Sequence, residues 1–209
     1  MRVRAYKLIV WVLVLLVAPC AAQGRDESAA QREYQIKAAF LYNFIKFVDW
    51  PKEKVAESNE PVVLGIVGKD PFGNAFAPVK DKQDKGRKVL IKRFKPIEEL
   101  KKSGEKDKSL LEREIDSLRK CHLLFICSSE EKSINEIINL VKGHSVLTIG
   151  DMQGFLESGG IINFIMEEKK VRFEINMTAA KHAKLQIRSQ LLRLAKRVIK
   201  EEASQQAKD

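Results

Sequence analysis

Three places in the sequence hold side chains whose types and spacing could do chemistry. The first is Gly150–Gly160, GDMQGFLESGG, in which four of eleven residues are glycine, Asp151 opens the loop, and Phe155 and Leu156 sit in its middle. A phenylalanine in such a loop either docks on another molecule or caps the chain's own core. The second is GKDPFG, Gly68–Gly73, where Asp70 suits a helix N-cap and Pro71 the first helical position. N–H groups at such a strand-to-helix turn can hold an anion, although Gly65, Gly68 and Gly73 match neither the dinucleotide fingerprint nor the P-loop. The third is Ser128-Ser129, just after an apolar run. If the strands before these loops are parallel, all three share the carboxyl edge of a sheet, where α/β proteins place their sites. Asp70, Phe72, Ser128 and Ser129 then form a candidate ligand cleft.

Hydrolysis would need a nucleophile and a base in reach of each other. His122, His144 and His182 are scattered, no G-x-S-x-G occurs, and the neighbours Cys121 and His122 would point to opposite faces of a strand. No metal-ligand spacing is present either. The reading is a binding protein without catalytic residues, metal or cofactor. Cys121 and Cys127 bracket the run His122–Ile126. Six strand residues span about 20 Å, whereas a disulfide needs Cα atoms within about 7 Å, so the two are not expected to pair with each other.

The elements that must carry these residues alternate. A helix over 32–49 comes first, followed by strands over 62–67, 88–93, 122–127, 145–149, 161–166 and 171–175. Helices are expected over 71–79, 96–102 and 130–141, with one or two more from Thr178 to about Glu201. Four of the strands are near-continuous Val, Ile, Leu and Phe runs, the pattern of a parallel sheet buried on both faces. The polar link Glu167–Lys170 makes the last two an antiparallel hairpin. The fold class is therefore α/β: a mostly parallel sheet of about six strands with one antiparallel hairpin, covered by helices on both faces as a three-layer sandwich.

On the first helix Arg32, Gln35, Asn43, Lys46 and Asp49 share one narrow stripe, while Ile36, Phe40, Leu41, Phe44, Ile45, Phe47 and Val48 fill most of the rest. That helix is either a core element or an interface for a second molecule. Residues 101–120 hold twelve charged side chains, with Leu110, Leu111, Ile115 and Leu118 marking a short amphipathic helix inside this charged insertion. In the last helix Arg193, Lys196, Arg197 and Lys200 would form one basic face.

Residues 1–22 read as a signal peptide: Arg2, Arg4 and Lys7 precede the apolar run Leu8–Ala18, and Cys20-Ala21-Ala22 offers small residues for cleavage before Gln23. Removing them lowers the formal charge from +10 to +7, with 35 basic against 28 acidic side chains. Export makes nucleic acid an unfavoured partner and leaves solubility, an anionic membrane face or an acidic protein patch as uses for the charge. Residues 23–201 are expected to form a single domain, and 202–209 a disordered tail.

The stretch KAAFLYNFIKFVDWP, Lys37–Pro51, resembles the opening helix of the YfiR family of bacterial periplasmic proteins. Further blocks follow in the family's order: Gly68 with Asp70-Pro71-Phe72-Gly73, Cys121 with Leu123-Leu124-Phe125, Leu147–Asp151, Phe155, Gly159–Ile162 with Phe164, and Arg172–Asn176. Ala179-Ala180, Leu185, Ile187, Ser189, Leu191-Leu192 and Leu194-Ala195 complete the set. The resemblance implies a Rossmann-like sheet and a periplasmic repressor that binds the sensor domain of a membrane diguanylate cyclase. It further implies a homodimer and an outer-membrane lipoprotein that relieves repression. On that reading Phe155, Asp151, Glu167 and Phe173 form the partner surface. The second reading is an extracytoplasmic small-ligand sensor acting with a histidine kinase or receptor. Arg188 stands where the family often has serine, and the chain keeps fewer cysteines than many members.

Overall fold

A computed structural model of the protein describes residues 23–54, 60–79, 83–84 and 87–200. The expected leader, 1–22, and tail, 202–209, lie outside the described residues. The elements run α1 (Gln23–Phe47), β1 (Val48–Asp49), β2 (Val62–Val67), β3 (Gln83–Asp84), β4 (Arg87–Phe94), α2 (Ile97–Lys106) and α3 (Lys108–Lys120). They continue with β5 (Leu123–Ile126), α4 (Ile134–Val141), β6 (Leu147–Gly150), β7 (Ile162–Glu167), β8 (Lys170–Asn176), α5 (Met177–His182), β9 (Gln186–Ile187), α6 (Ser189–Leu192) and β10 (Arg197–Ile199).

Among the described residues, eight strands make one sheet in the order β10-β8-β7-β6-β5-β2-β4-β3. From β4 through β2, β5 and β6 to β7 every pair is parallel, while β7 and β8 form the antiparallel hairpin. This is the mostly parallel α/β sandwich read from the sequence, with two additional short strands. β10 adds parallel to β8, and the two-residue β3 adds antiparallel to β4. A separate ladder pairs β1 with β9.

Strand alternation divides the apolar side chains between two cores. Val62, Leu64 and Ile66 of β2, Leu123 and Phe125 of β5, and Phe164 and Phe173 of the hairpin pack with Leu41, Phe44 and Ile45 of α1. On the opposite face Leu124, Ile126 and Phe94 pack with Ile97 of α2, Leu118 of α3 and Ile137 of α4. Cys121 belongs to this second core and Cys127 to the first, and both are free buried thiols. Glycine is required opposite Cys121, because a Cβ on Gly65 would sit 2.8 Å from its Sγ. The charged insertion folds as a helical hairpin of α2 and α3. Asp107 caps α3 by accepting from the Leu110 N–H, and Leu118 supplies the apolar anchor.

Two expected helices are replaced. Over 71–79 the chain makes turns and a short 3-10 segment, Ala77–Val79. Asp70 does accept from the Phe72 N–H, and Phe72, Ala75 and Phe76 are buried at helical spacing, but Gly73 adopts φ +48°, a left-handed backbone that interrupts a right-handed helix at its first turn. Of the one or two helices expected beyond Thr178, the chain forms the short α5 and α6, and the basic last helix is absent. Lys184 adopts φ +56° and ends α5, Leu185 and Ile187 turn into the first core, and Arg197–Ile199 pair as a strand with β8. The basic face therefore does not form: Lys196 pairs with Glu167, and Arg197 with Glu174.

Candidate functional site

The chain passes from β2 outward to β4 and returns to β5 on the other side of β2, so the carboxyl ends of β2 and β5 flank the topological switch point where open α/β sheets bind ligands. Asp70, Phe72, Ser128 and Ser129 all lie at this edge, as the expected cleft requires. The chain's own side chains occupy it. Ser129 Oγ accepts from the Lys69 N–H at 2.9 Å and donates to Glu130 Oε1 at 3.2 Å. Glu130, 4% exposed, accepts the Ile97 N–H of α2 on Oε2 at 3.0 Å, so a carboxylate of this chain satisfies that helix terminus. Gly68, at φ +101°, passes so close that an added Cβ would lie 2.5 Å from Ser129 Oγ. Asp70 accepts from the Phe72 N–H at 2.7 Å and from Arg93 Nε at 2.6 Å. Ser128 is exposed.

A second cluster stands beside the first at the end of β6. Asp151 Oδ2 accepts from Lys37 Nζ at 2.7 Å and from the Tyr34 hydroxyl at 3.0 Å. Lys37 and Asp151 are both nearly inaccessible, and Lys37 also meets Glu33 Oε1 at 2.6 Å, one helical turn earlier. The Lys37 ammonium lies 4.4 Å from the centre of the Tyr34 ring, which packs edge-on to Phe72. Asp151 Oδ1 has no hydrogen-bond partner among the described residues. Burial, then Asp151, pushes the Tyr34 hydroxyl well above the usual phenol range. Burial, with Asp70, Asp151 and Glu130 behind it, pushes the Cys127 thiol up to about 12. These groups stay protonated at neutral pH, so the thiol is inert there. A cavity of about 380 Å³ borders the cluster, with Asp151, Asn163, Met166, Glu174 and Arg197 in its wall.

The residues expected to form a partner surface separate. Phe155 is fully buried: its ring is sandwiched against Gly150 and Gly160, where added Cβ atoms would come within 2.5 and 2.2 Å of it. It caps the second core and is not presented to solvent. Phe173 is also a core residue, 1% exposed, packed 5.2 Å from the Phe44 ring and 5.5 Å from the Phe40 ring. Asp151 is buried in the ion pair. Glu167 alone of the four is substantially accessible, at the end of β7, where Lys196 Nζ lies 2.5 Å away and holds its carboxyl below the usual range. Sequence reasoning missed Lys37 and Tyr34. Their signal is a lysine on the inward side of an apolar helix, with Glu33 four residues earlier.

At the opposite, amino edge, His122 Nδ1 accepts the Val63 N–H at 3.2 Å and the imidazole packs edge-on to Trp50. Burial, with Lys54 and Arg87 adding to it, pulls the imidazole down to about 4. His122 is thus a neutral structural residue.

A family model described as DUF4154, YfiR/HmsC-like, matches residues 34–196. No curated protein matches the chain in a sequence comparison. Among solved structures the chain is similar to a conserved domain protein from Vibrio cholerae O1 biovar eltor strain N16961, with a TM-score of 0.52 at 10% identity over 79% of this chain and 60% of that one. It also has a TM-score of 0.45, at 10% identity over 66% of this chain and 55% of the other, to the ABC domain in complex with L-Trp from Streptococcus pneumonia. The chain thus spans about 60% of the length of the first of these structures, and that likeness speaks for the fold alone. No described helix is long and apolar enough to cross a membrane.

Proposed function

The chain belongs to the YfiR/HmsC-like family, and from that premise we propose that it is an exported regulatory binding protein that represses a membrane diguanylate cyclase by binding its periplasmic sensor domain. The observation that carries this reading is the family match over residues 34–196. The filled switch point supports it, since Ser129 and Glu130 take the place that a nucleotide or other anion has in many sheets of this kind. Residues 1–22 are the leader on this proposal, 23–201 one domain, and the mature protein acts in the periplasm as a homodimer from which an outer-membrane lipoprotein relieves repression. Glu167 is retained as a partner-facing residue.

The test is cellular cyclic di-GMP in a strain lacking the gene, with and without the wild-type chain restored. A rise on deletion that the chain reverses is the expected result. An unchanged level would overturn the proposal. The cavity beside Asp151 favours a second reading, a small-ligand sensor acting through a histidine kinase or receptor. A ligand present at about 100 times its dissociation constant would stabilise the fold by about 2.7 kcal/mol, which a thermal-shift screen reads as a rise of several degrees.

A further inference from the structure

Helix α1 has an outer face that the described residues leave uncovered. Arg32, Gln35, Ala39, Asn43 and Lys46 are exposed along it, and Ile36, at 42% exposure, is among the most accessible large apolar side chains described. Phe40 is half-buried and seals the floor of this strip, its ring 6.0 Å from Phe164 and 5.5 Å from Phe173 below. Arg32, Gln35, Ile36, Ala39, Phe40 and Asn43 line a shallow groove of about 350 Å³. The spacing is that of helix packing: positions 32, 36, 39 and 43 step by four, three and four along one stripe, and the small Ala39 at its centre lets another helix approach closely.

Charge decides what fits. The stripe has a cation at each end, Arg32 and Lys46, 14 residues or about 21 Å apart along the helix. Between Ala29 and Phe47 the only acidic residue is Glu33, and Lys37 takes it up at 2.6 Å. A second copy is disfavoured, because antiparallel pairing centred on Ala39 sets Arg32 against Lys46, and parallel pairing sets each cation against itself. We propose that this stripe is the docking surface for a helix of another protein that has apolar side chains at its centre and carboxylates about 21 Å apart at its ends. The inference rests on the reading of the chain as a regulatory binding protein, and it places the partner on α1 instead of at the buried Phe155 and Phe173.

The experiment puts a photo-crosslinking amino acid at Ala39 of the full chain in its native host and identifies the adduct by mass spectrometry. The same chain is also made with Arg32→Glu and Lys46→Glu. The expected result is an adduct with one protein, through an acidic amphipathic helix, that falls about tenfold in the charge-reversed chain at equal abundance, the size expected for losing two steering charges. An adduct between two copies of the chain, an adduct insensitive to the reversal, or no adduct would each overturn the proposal. Cyclic di-GMP separates this from the functional reading. If deletion raises it and the charge-reversed chain restores it as fully as wild type, the cyclase reading stands and the α1 surface falls. If the reversal-sensitive adduct forms with a protein other than a cyclase, the surface stands and the cyclase reading falls.

Discussion

The switch point and the Asp151 cluster lie side by side at the same sheet edge, yet they bury carboxylates by different means. At the switch point Glu130 is held by a backbone N–H of α2 and by the Ser129 hydroxyl, and Asp70 by the Phe72 N–H and a half-exposed arginine. In the cluster Asp151 relies on two side chains of α1, and one of its oxygens has no partner among the described residues. Backbone donors are fixed by the fold, whereas side-chain donors are lost with a single substitution. The difference predicts a tolerant site and a brittle one next to each other.

The sharpest way to break that comparison is Lys37→Met. Removing one member of a buried ion pair leaves the other charge uncompensated and costs about 3–5 kcal/mol, whereas replacing both with apolar residues often restores stability. Urea unfolding should therefore find Lys37→Met severely destabilised and the double variant Lys37→Met, Asp151→Leu closer to wild type. A single variant within 1 kcal/mol of wild type would show that the cluster is not brittle.

Alkaline titration sharpens it next. The Cys127 thiol titrates near 9 in the unfolded chain and at about 12 when folded, so its contribution is fully present below pH 9 and is lost as pH rises toward 12. The slope is about 1.4 kcal/mol per pH unit, or roughly 3 kcal/mol by pH 11. Tyr34 adds to the loss above pH 10, since its hydroxyl is raised as well. Cys127→Ala should flatten the dependence of unfolding free energy on pH between 9 and 11 by about one proton. An unchanged slope would mean that the thiol is not held neutral by its surroundings.

How much of this was legible in the sequence follows from what each signal depends on. The parallel strands were readable because strands buried on both faces must be nearly all apolar, and Val62–Val67 falls where the run predicts. The end of the chain was not, because Leu191, Leu194 and Ala195 repeat at helical spacing while long-range pairing with β8 decides the state of Arg197–Ile199. Helix α1 begins nine residues before the expected Arg32, in a polar stretch with no apolar period to mark it. Asp70 and Asp151 follow β2 and β6, which run in the same direction, so the strand alternation alone sets both at one edge of the sheet. Phe155 had two readings, and only the spacing of Gly150 and Gly160 around its ring decides for the core. Lys37 was hidden because a lysine among apolar residues reads as a solvated position, and its partner lies 114 residues away.

Substitutions at the switch point should cost less. Gly68→Ala imposes a left-handed backbone on a side chain and pushes a Cβ onto the Ser129 hydroxyl, for about 1–3 kcal/mol. Ser129→Ala then isolates what the hydroxyl contributes. Its loss removes the acceptor for the Lys69 N–H, but that bond is exposed and water can replace it, while Glu130 keeps the Ile97 N–H. The expected cost is about 0.5–1 kcal/mol, the net worth of one hydrogen bond. Gly68→Ala in the Ser129→Ala background should cost less than in wild type, because the Oγ that the new Cβ meets is gone. If Ser129→Ala instead costs as much as Lys37→Met, the carboxylate of Glu130 depends on that hydroxyl as Asp151 depends on Lys37, and the two sites are held in the same way.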